Sequence, residues 1–380
     1  MKRYWLIPLL LLFLASCRET PFNAVQYVDP QIGSVHGRWF FYTPAAVPFG
    51  MAKLAPHTNA YGSPGSWGPC GYDDRHTSIE GFGHFHEFQI GGVVFMPTTG
   101  SLKTIPGTLE NPDAGYRSRF DKADEHAEPG YYSVFLKDYG IKAELTATER
   151  VGFHRYTFPE TSQAHLIIDV GHKQGESSDV TAAFARVVNG NEVEGYVETY
   201  PEYAKFCDPG KRVKMYFVAQ LSKQPAETGA FTDTLRHPGL SETNGINNGL
   251  FLRFSMHEGE ILEIKTGLSY TSVENARLNL QTESAEKTFD AVRAAARKAW
   301  NEKLGRIVVE DPDRLNLVKF YTGLYHALLG RGISSDVNGQ YPLVDGGIGQ
   351  IPAGPDGHPQ YRHFNTDGIW GGFWNLSQLW

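Results

Sequence analysis

Cysteine is scarce, with three in 380 residues, and that excludes a disulfide-framed scaffold. One of the three, Cys17, closes an apolar stretch at the N-terminus, so Cys70 and Cys207 allow at most one bridge in the rest of the chain. Basic runs are equally short: no stretch of Lys or Arg exceeds two, and the net charge is −7. Neither a nucleic-acid footprint nor a polybasic membrane patch is present, and nucleic acid is not an expected partner. The longest apolar run, Leu6 to Leu14, is too short to cross a bilayer as a mature helix. Gly-rich stretches such as Asp345-Gly346-Gly347 lack the strand-turn-helix setting and the lysine of a phosphate loop, which sets nucleotide binding aside. No internal repeat follows the N-terminal stretch.

What is present begins with an export signal. Lys2 and Arg3 precede the apolar run, which ends Leu14-Ala15-Ser16-Cys17. Small residues before a cysteine match a bacterial lipobox. Residues 1–16 are therefore expected to be a lipoprotein signal peptide, Cys17 to be lipidated, and 17–25 to be a tether. The expected location is the periplasm or the outer membrane and cell surface.

Hydrophobic residues make up 41% of the chain and charged residues 20%, enough for two or three cores. Short alternating or apolar runs, separated by Gly, Pro, Asn and Asp, predict an all-β sandwich over 26–283. Examples are Tyr131–Leu136, Ile141–Leu145, His165–Val170, Lys214–Val218 and Gly249–Phe254. Beyond Ser284 the period changes: Phe289, Val292, Ala296, Ala299 and Trp300 fall at helical spacing, with Gly305 as C-terminal cap. A linker helix and strand are expected over 284–311. Asp311-Pro312 announces a second helix through Leu328 to Gly330, with a wide apolar face. Residues 312–380 then read as the start of a helical domain. The chain stops on Asn375-Leu376-Ser377-Gln378-Leu379-Trp380, aromatics with no polar tail, and is expected to be the front half of a longer protein.

Several blocks carry a resemblance. Tyr27-Val28-Asp29-Pro30-Gln31-Ile32-Gly33 and Thr43-Pro44-Ala45-Ala46-Val47-Pro48-Phe49-Gly50-Met51 resemble the opening of glycoside hydrolase family 92, the exo-acting α-mannosidases. Ile79 to His86, Phe95 to Gly100, Ser272 to Asn279, Ala299 to Ile307 and Phe320 to Leu329 are similar to later blocks of that family. The resemblance implies a β-sandwich joined to an (α/α)6 barrel, an interface pocket, a calcium cofactor and a mannose-containing glycan as substrate. It also implies an inverting mechanism whose acid and base, with most calcium ligands, lie beyond residue 380. No catalytic or metal residue of this chain follows from it.

The same resemblance places His84, His86, Glu87, Trp67, Cys207, Asp367 and Trp370 near the sugar. One departure concerns Ile369-Trp370-Gly371-Gly372, where many members read Leu-Trp-Asp-Thr; Asp367 is the substitute carboxylate. Read from the residues alone, His-x-His followed by Glu87 stands open to three roles: a transition-metal site, a pocket wall or a structural strand. Trp370 with Trp374 suits a core as well as a sugar platform, and Cys207 suits buried filler as well as a wall. Asp73-Asp74 reads as a solvated turn. The rival functions are a noncatalytic glycan-binding lipoprotein and a metal-dependent hydrolase built on His84 and His86. Oligomeric state is not encoded in any of these signals.

Overall fold

The computed structural model describes residues 22–35, 42–58, 71–87, 90–172, 179–201, 204–205, 208–330 and 332–365. Two antiparallel sheets face one another. The first, in spatial order, is β1 (Ala45–Ala46), β2 (Lys53–His57), β4 (Gly81–Glu87), β5 (Ile90–Thr99), β11 (Thr161–Asp169), β18 (Asn248–Met256), β15 (Glu227–Thr232) and β16 (Leu235–Pro238). The second is β17 (Glu242–Asn244), β12 (Asp179–Val188), β13 (Glu192–Tyr200), β14 (Val213–Leu221), β19 (Ile261–Ser269), β10 (Val151–Thr157), β9 (Ile141–Ala147), β8 (Tyr131–Leu136) and β7 (His126–Glu128). Short pairs β3 (Ser78–Ile79) with β6 (Ser118–Arg119), and β20 (Gln340–Pro342) with β21 (Ile348–Gln350), complete the strands.

Period-two patterning decides which way each strand faces. On β14, Met215, Phe217, Ala219 and Leu221 enter the core between the sheets, while Tyr216 and Val218 pack under helices on the opposite side. A sheet covered on both faces needs apolar residues on both, and β14 and β10 have them.

Three helices follow. Helix α1 (Val273–Ser284) is capped by Ser272, α2 (Phe289–Leu304) by Thr288, and α3 (Arg314–Leu329) by Asp313, each side chain accepting a backbone N–H of the first turn. Ala276, Leu280, Phe289 and Val292 lie against Tyr131, Val151, Phe153 and Val218, so α1 and α2 roof the nine-stranded sheet. Helix α2 is then pinned by Trp300, fully buried, whose indole N–H donates to the Ala46 carbonyl at 2.6 Å.

The expected fold class therefore stands, with three corrections of detail. The last sandwich strand ends at Ser269, before the expected boundary at 283, and the residues between are α1. No strand follows α2 among the described residues of 305–313. Helix α3 is capped by Asp313 rather than Asp311; Asp311 instead accepts from the Asp313 N–H and the Asn316 amide.

The N-terminal segment does not stay with the sandwich. A 3₁₀ turn at Ala24–Tyr27 packs on α2 and α3. Tyr27 stacks on Tyr321 with centroids 5.6 Å apart, the Asn301 amide donates to the Phe22 carbonyl, and Thr322 Oγ1 accepts the Asp29 N–H.

Candidate functional site

The spacing His84-x-His86 draws attention first, and the structure encloses both imidazoles. Each is 0% exposed. His84 Nδ1 lies 2.6 Å from the Val93 carbonyl and its Nε2 lies 2.8 Å from His154 Nε2, reaching across from the eight-stranded to the nine-stranded sheet. His154 Nδ1 is in turn 2.8 Å from the Tyr156 hydroxyl. His86 repeats the pattern within its own sheet, Nδ1 at 2.5 Å from the Lys53 carbonyl and Nε2 at 2.6 Å from His57 Nε2.

These contacts fix the protons. A carbonyl only accepts, so His84 and His86 each carry hydrogen on Nδ1 and offer a bare Nε2. His154 and His57 must therefore donate from Nε2. The Tyr156 hydroxyl then donates to His154 Nδ1, and the chain Tyr156, His154, His84, Val93 carbonyl runs in one direction with every ring neutral. Burial is the main force keeping them so: it pushes His84 down to about 3 and His86 to about 4, and holds His57 and His154 well below the usual imidazole range. Val93, whose carbonyl ends the chain, holds φ at 56°, a costly conformation for a β-branched residue.

Gly83 makes room for this arrangement. A Cβ there would come within 2.5 Å of His57 Nε2 and 2.9 Å of His86 Cε1. Closed from solvent and committed to hydrogen bonds with His154, His57 and two carbonyls, His84 and His86 do not line a pocket, which corrects the sugar-facing role expected of them. A transition-metal role is not supported either: each bare Nε2 already accepts from another imidazole, and among the described residues no three His, Cys, Asp or Glu side chains are arranged to hold a metal ion. His57 and His154 carried no signal in the sequence, since each comes from a strand remote in sequence from His84 and His86.

Another polar cluster gathers just past the end of β2, around Thr58 and Gly71. Residues 59–70, which include Trp67, leave the described chain between Thr58 and Gly71, and this stem is tightly tied. The Thr58 N–H donates to the Gly71 carbonyl at 2.8 Å, Thr58 Oγ1 accepts from the Asp73 N–H, and the Arg117 guanidinium donates to the Thr58 carbonyl. Asp73 and Asp74, expected as a solvated turn, instead serve as anchors. Asp73 is nearly buried and takes the Arg75 guanidinium, while Asp74 accepts from Lys122 and the Tyr72 hydroxyl.

Beside that stem Tyr42 stacks on Tyr72 with centroids 3.9 Å apart. Glu125, its carboxylate 0% exposed, accepts from the hydroxyls of Tyr72 and Tyr132, from Gln31 and from Lys122. Burial, with the Glu125 charge next in order, raises the phenols of Tyr72 and Tyr132, so both remain donors.

A second approach is made by residues 332–365. Asp336, buried, accepts from Ser269 Oγ at 3.0 Å, Thr271 Oγ1 at 2.5 Å and Asn279 Nδ2 at 2.7 Å. Arg150 Nε donates to the Ser335 carbonyl, and the Ile333 N–H donates to the Phe49 carbonyl. The chain makes its β20–β21 excursion and returns to bridge Phe364 to Ile333. Trp67, Cys207, Asp367, Trp370 and Cys17, together with the side chain of Glu87, lie outside the described residues.

Comparison with known proteins follows this geometry. The family model of the glycosyl hydrolase family 92 N-terminal domain matches residues 27–269, and that of the family 92 catalytic domain matches 275–380. A family 92 α-mannosidase from Bacteroides thetaiotaomicron superposes with a TM-score of 0.82 at 29% identity, covering 93% of this chain and 46% of its own. The same mannosidase is also known in complex with mannoimidazole, with like agreement over 45% of its length. An uncharacterized secreted glycosidase of Arthroderma benhamiae is 24% identical over 356 residues, 84% of this chain and 43% of the relative. The chain thus spans less than half the length of these relatives. The first model stops where β19 stops and the second starts on α1, so the division that the fold makes is also the division of the family, and the chain belongs to glycosyl hydrolase family 92.

Proposed function

We propose that the protein carrying this chain removes terminal α-linked mannose from glycans, with inversion at the anomeric carbon, and that Cys17 anchors it by lipid in the bacterial envelope. The observation that carries the reading is the junction just described. β19 ends at Ser269 and α1 begins at Val273, where the family 92 N-terminal model gives way to the catalytic-domain model. The mannosidase with 29% identity, known with a mannose-like inhibitor, shares this front half.

Inversion needs two carboxyl groups roughly 6.5–9.5 Å apart, one to protonate the leaving oxygen and one to activate water. No such pair is assigned within this chain. Its proposed part is to bind and orient the sugar, with the acid and base supplied from outside this chain.

Calcium prefers six to eight oxygen ligands. The buried histidines do not fit it, being neutral nitrogen groups already paired, and the described carboxylates nearest the junction are committed to Arg75, Lys122, Ser269, Thr271 and Asn279. No step is derived through the ion from these residues.

The test uses the full-length protein with an aryl α-mannoside and calcium, followed by proton NMR. Mannose should appear first as the β-anomer. No released mannose sinks the activity, and first release of the α-anomer sinks the inverting mechanism.

A further inference from the structure

A groove of about 550 Å³ opens on the outer face of the eight-stranded sheet, away from the helices. Its floor follows from strand register: His165 on β11 faces Arg253 on β18, which faces Glu227 on β15. Ser162 and Gln163 border it from the start of β11, and Arg236 comes in from the edge strand β16.

The charges are unevenly spent. Arg253 Nε donates to Glu227 at 2.8 Å, and its terminal nitrogen donates to the Ser162 carbonyl. Arg236 is exposed and makes no ion pair among the described residues, so the groove keeps one uncompensated positive charge. His165 is 5% exposed, and its Nδ1 has no partner among the described residues. Its ladder neighbour Thr98 has a buried hydroxyl in the same condition. An unpaired buried acceptor is tolerated better than an unpaired buried donor. The proton therefore belongs on Nε2, as a neutral N–H donor of the groove wall. Burial, reinforced by Arg253, pushes His165 down to about 4, which keeps the ring neutral at pH 7.

We infer that this groove binds a sugar acid, with its carboxylate held by Arg236 and the His165 N–H and its hydroxyls met by Gln163, Ser162 and Glu227. A guanidinium fork matches a planar carboxylate. The single spare positive charge suits a monoanion, whereas a dianionic phosphate ester would meet the Glu227 carboxylate. A neutral sugar can accept from the guanidinium and the N–H but leaves the positive charge uncompensated, and Phe251, 4% exposed, gives no stacking face.

Isothermal titration calorimetry of the full chain with D-glucuronate and D-galacturonate at low salt tests the assignment. At least one should bind saturably, at least fivefold more tightly than acetate or inorganic phosphate, and neither glucose nor the uronate methyl ester should match it. Arg236→Gln should weaken binding tenfold or more with an unchanged melting temperature, and Arg236→Lys should fall between. No saturable binding, binding indifferent to Arg236→Gln, or equal binding of glucose or phosphate overturns the proposal. Mannose release plays no part in this readout, so failure here leaves the proposed activity standing.

Discussion

Acid should unfold this sandwich from its centre. His84, His86, His57 and His154 are neutral when folded, because burial disfavours their charged forms, whereas in the unfolded chain each titrates near 6.5. The folded state thus binds fewer protons than the unfolded state once the pH drops below 6.5. Stability is full above that value and is lost as pH falls towards about 4 for His86 and about 3 for His84. Between pH 7 and 5 each such ring costs about 2 kcal/mol, so two cost about 4 and all four about 8 kcal/mol, against a typical total of roughly 5–15 kcal/mol. His172 works the other way: burial lowers it, but the Asp169 carboxylate reverses the sign and raises it. Carboxylates such as Asp169 and Glu144, held low by their partners, titrate below this window. Urea unfolding at pH 7, 6 and 5, followed by tryptophan fluorescence, measures the loss. The imidazole C2 protons of these rings should not shift between pH 7 and 5. A total fall below about 2 kcal/mol, or rings that titrate in this range, refutes the neutral chain.

Three further outcomes follow from the same contacts. Gly83→Ala should displace His57 and cost about 2–4 kcal/mol by overpacking and a lost hydrogen bond, seen as a lower urea midpoint; an unchanged midpoint denies the close fit. Asp336→Ala strands three donors and should cost about 2–4 kcal/mol, with hydrogen exchange accelerating in residues 332–343 before it does in the sandwich. Cys17→Ser should abolish incorporation of labelled palmitate and move the protein out of the membrane fraction; a labelled variant disproves the anchor.

The sandwich was legible because its strands alternate and its turns carry Gly, Pro, Asn and Asp. Helix α1 was not, since the face it buries holds Asn275 and Asn279 beside Ala276 and Leu280, and two asparagines interrupt the apolar stripe. Asn279 is there for Asp336 and Asn275 for Gln340 and Asn338, partners more than fifty positions away in sequence. The histidines show the same limit. Spacing singled out His84 and His86, yet their role is decided by His57, His154 and two carbonyls on other strands, and no local pattern announces a hydrogen bond across a sandwich.

The docking of the N-terminal segment on the helices also sets an order of events during synthesis. The Val25 N–H reaches Asn301 across 276 positions, and the Asp29 N–H reaches Thr322 across 293. A ribosome adding roughly 5–20 residues per second needs roughly 15–60 s to supply those partners. Until α2 and α3 emerge, Phe22 and Tyr27 have no Tyr321 to cover them. Slow codons between positions 290 and 330 should therefore lengthen the period in which this aromatic segment is open to chaperones and to neighbouring nascent chains.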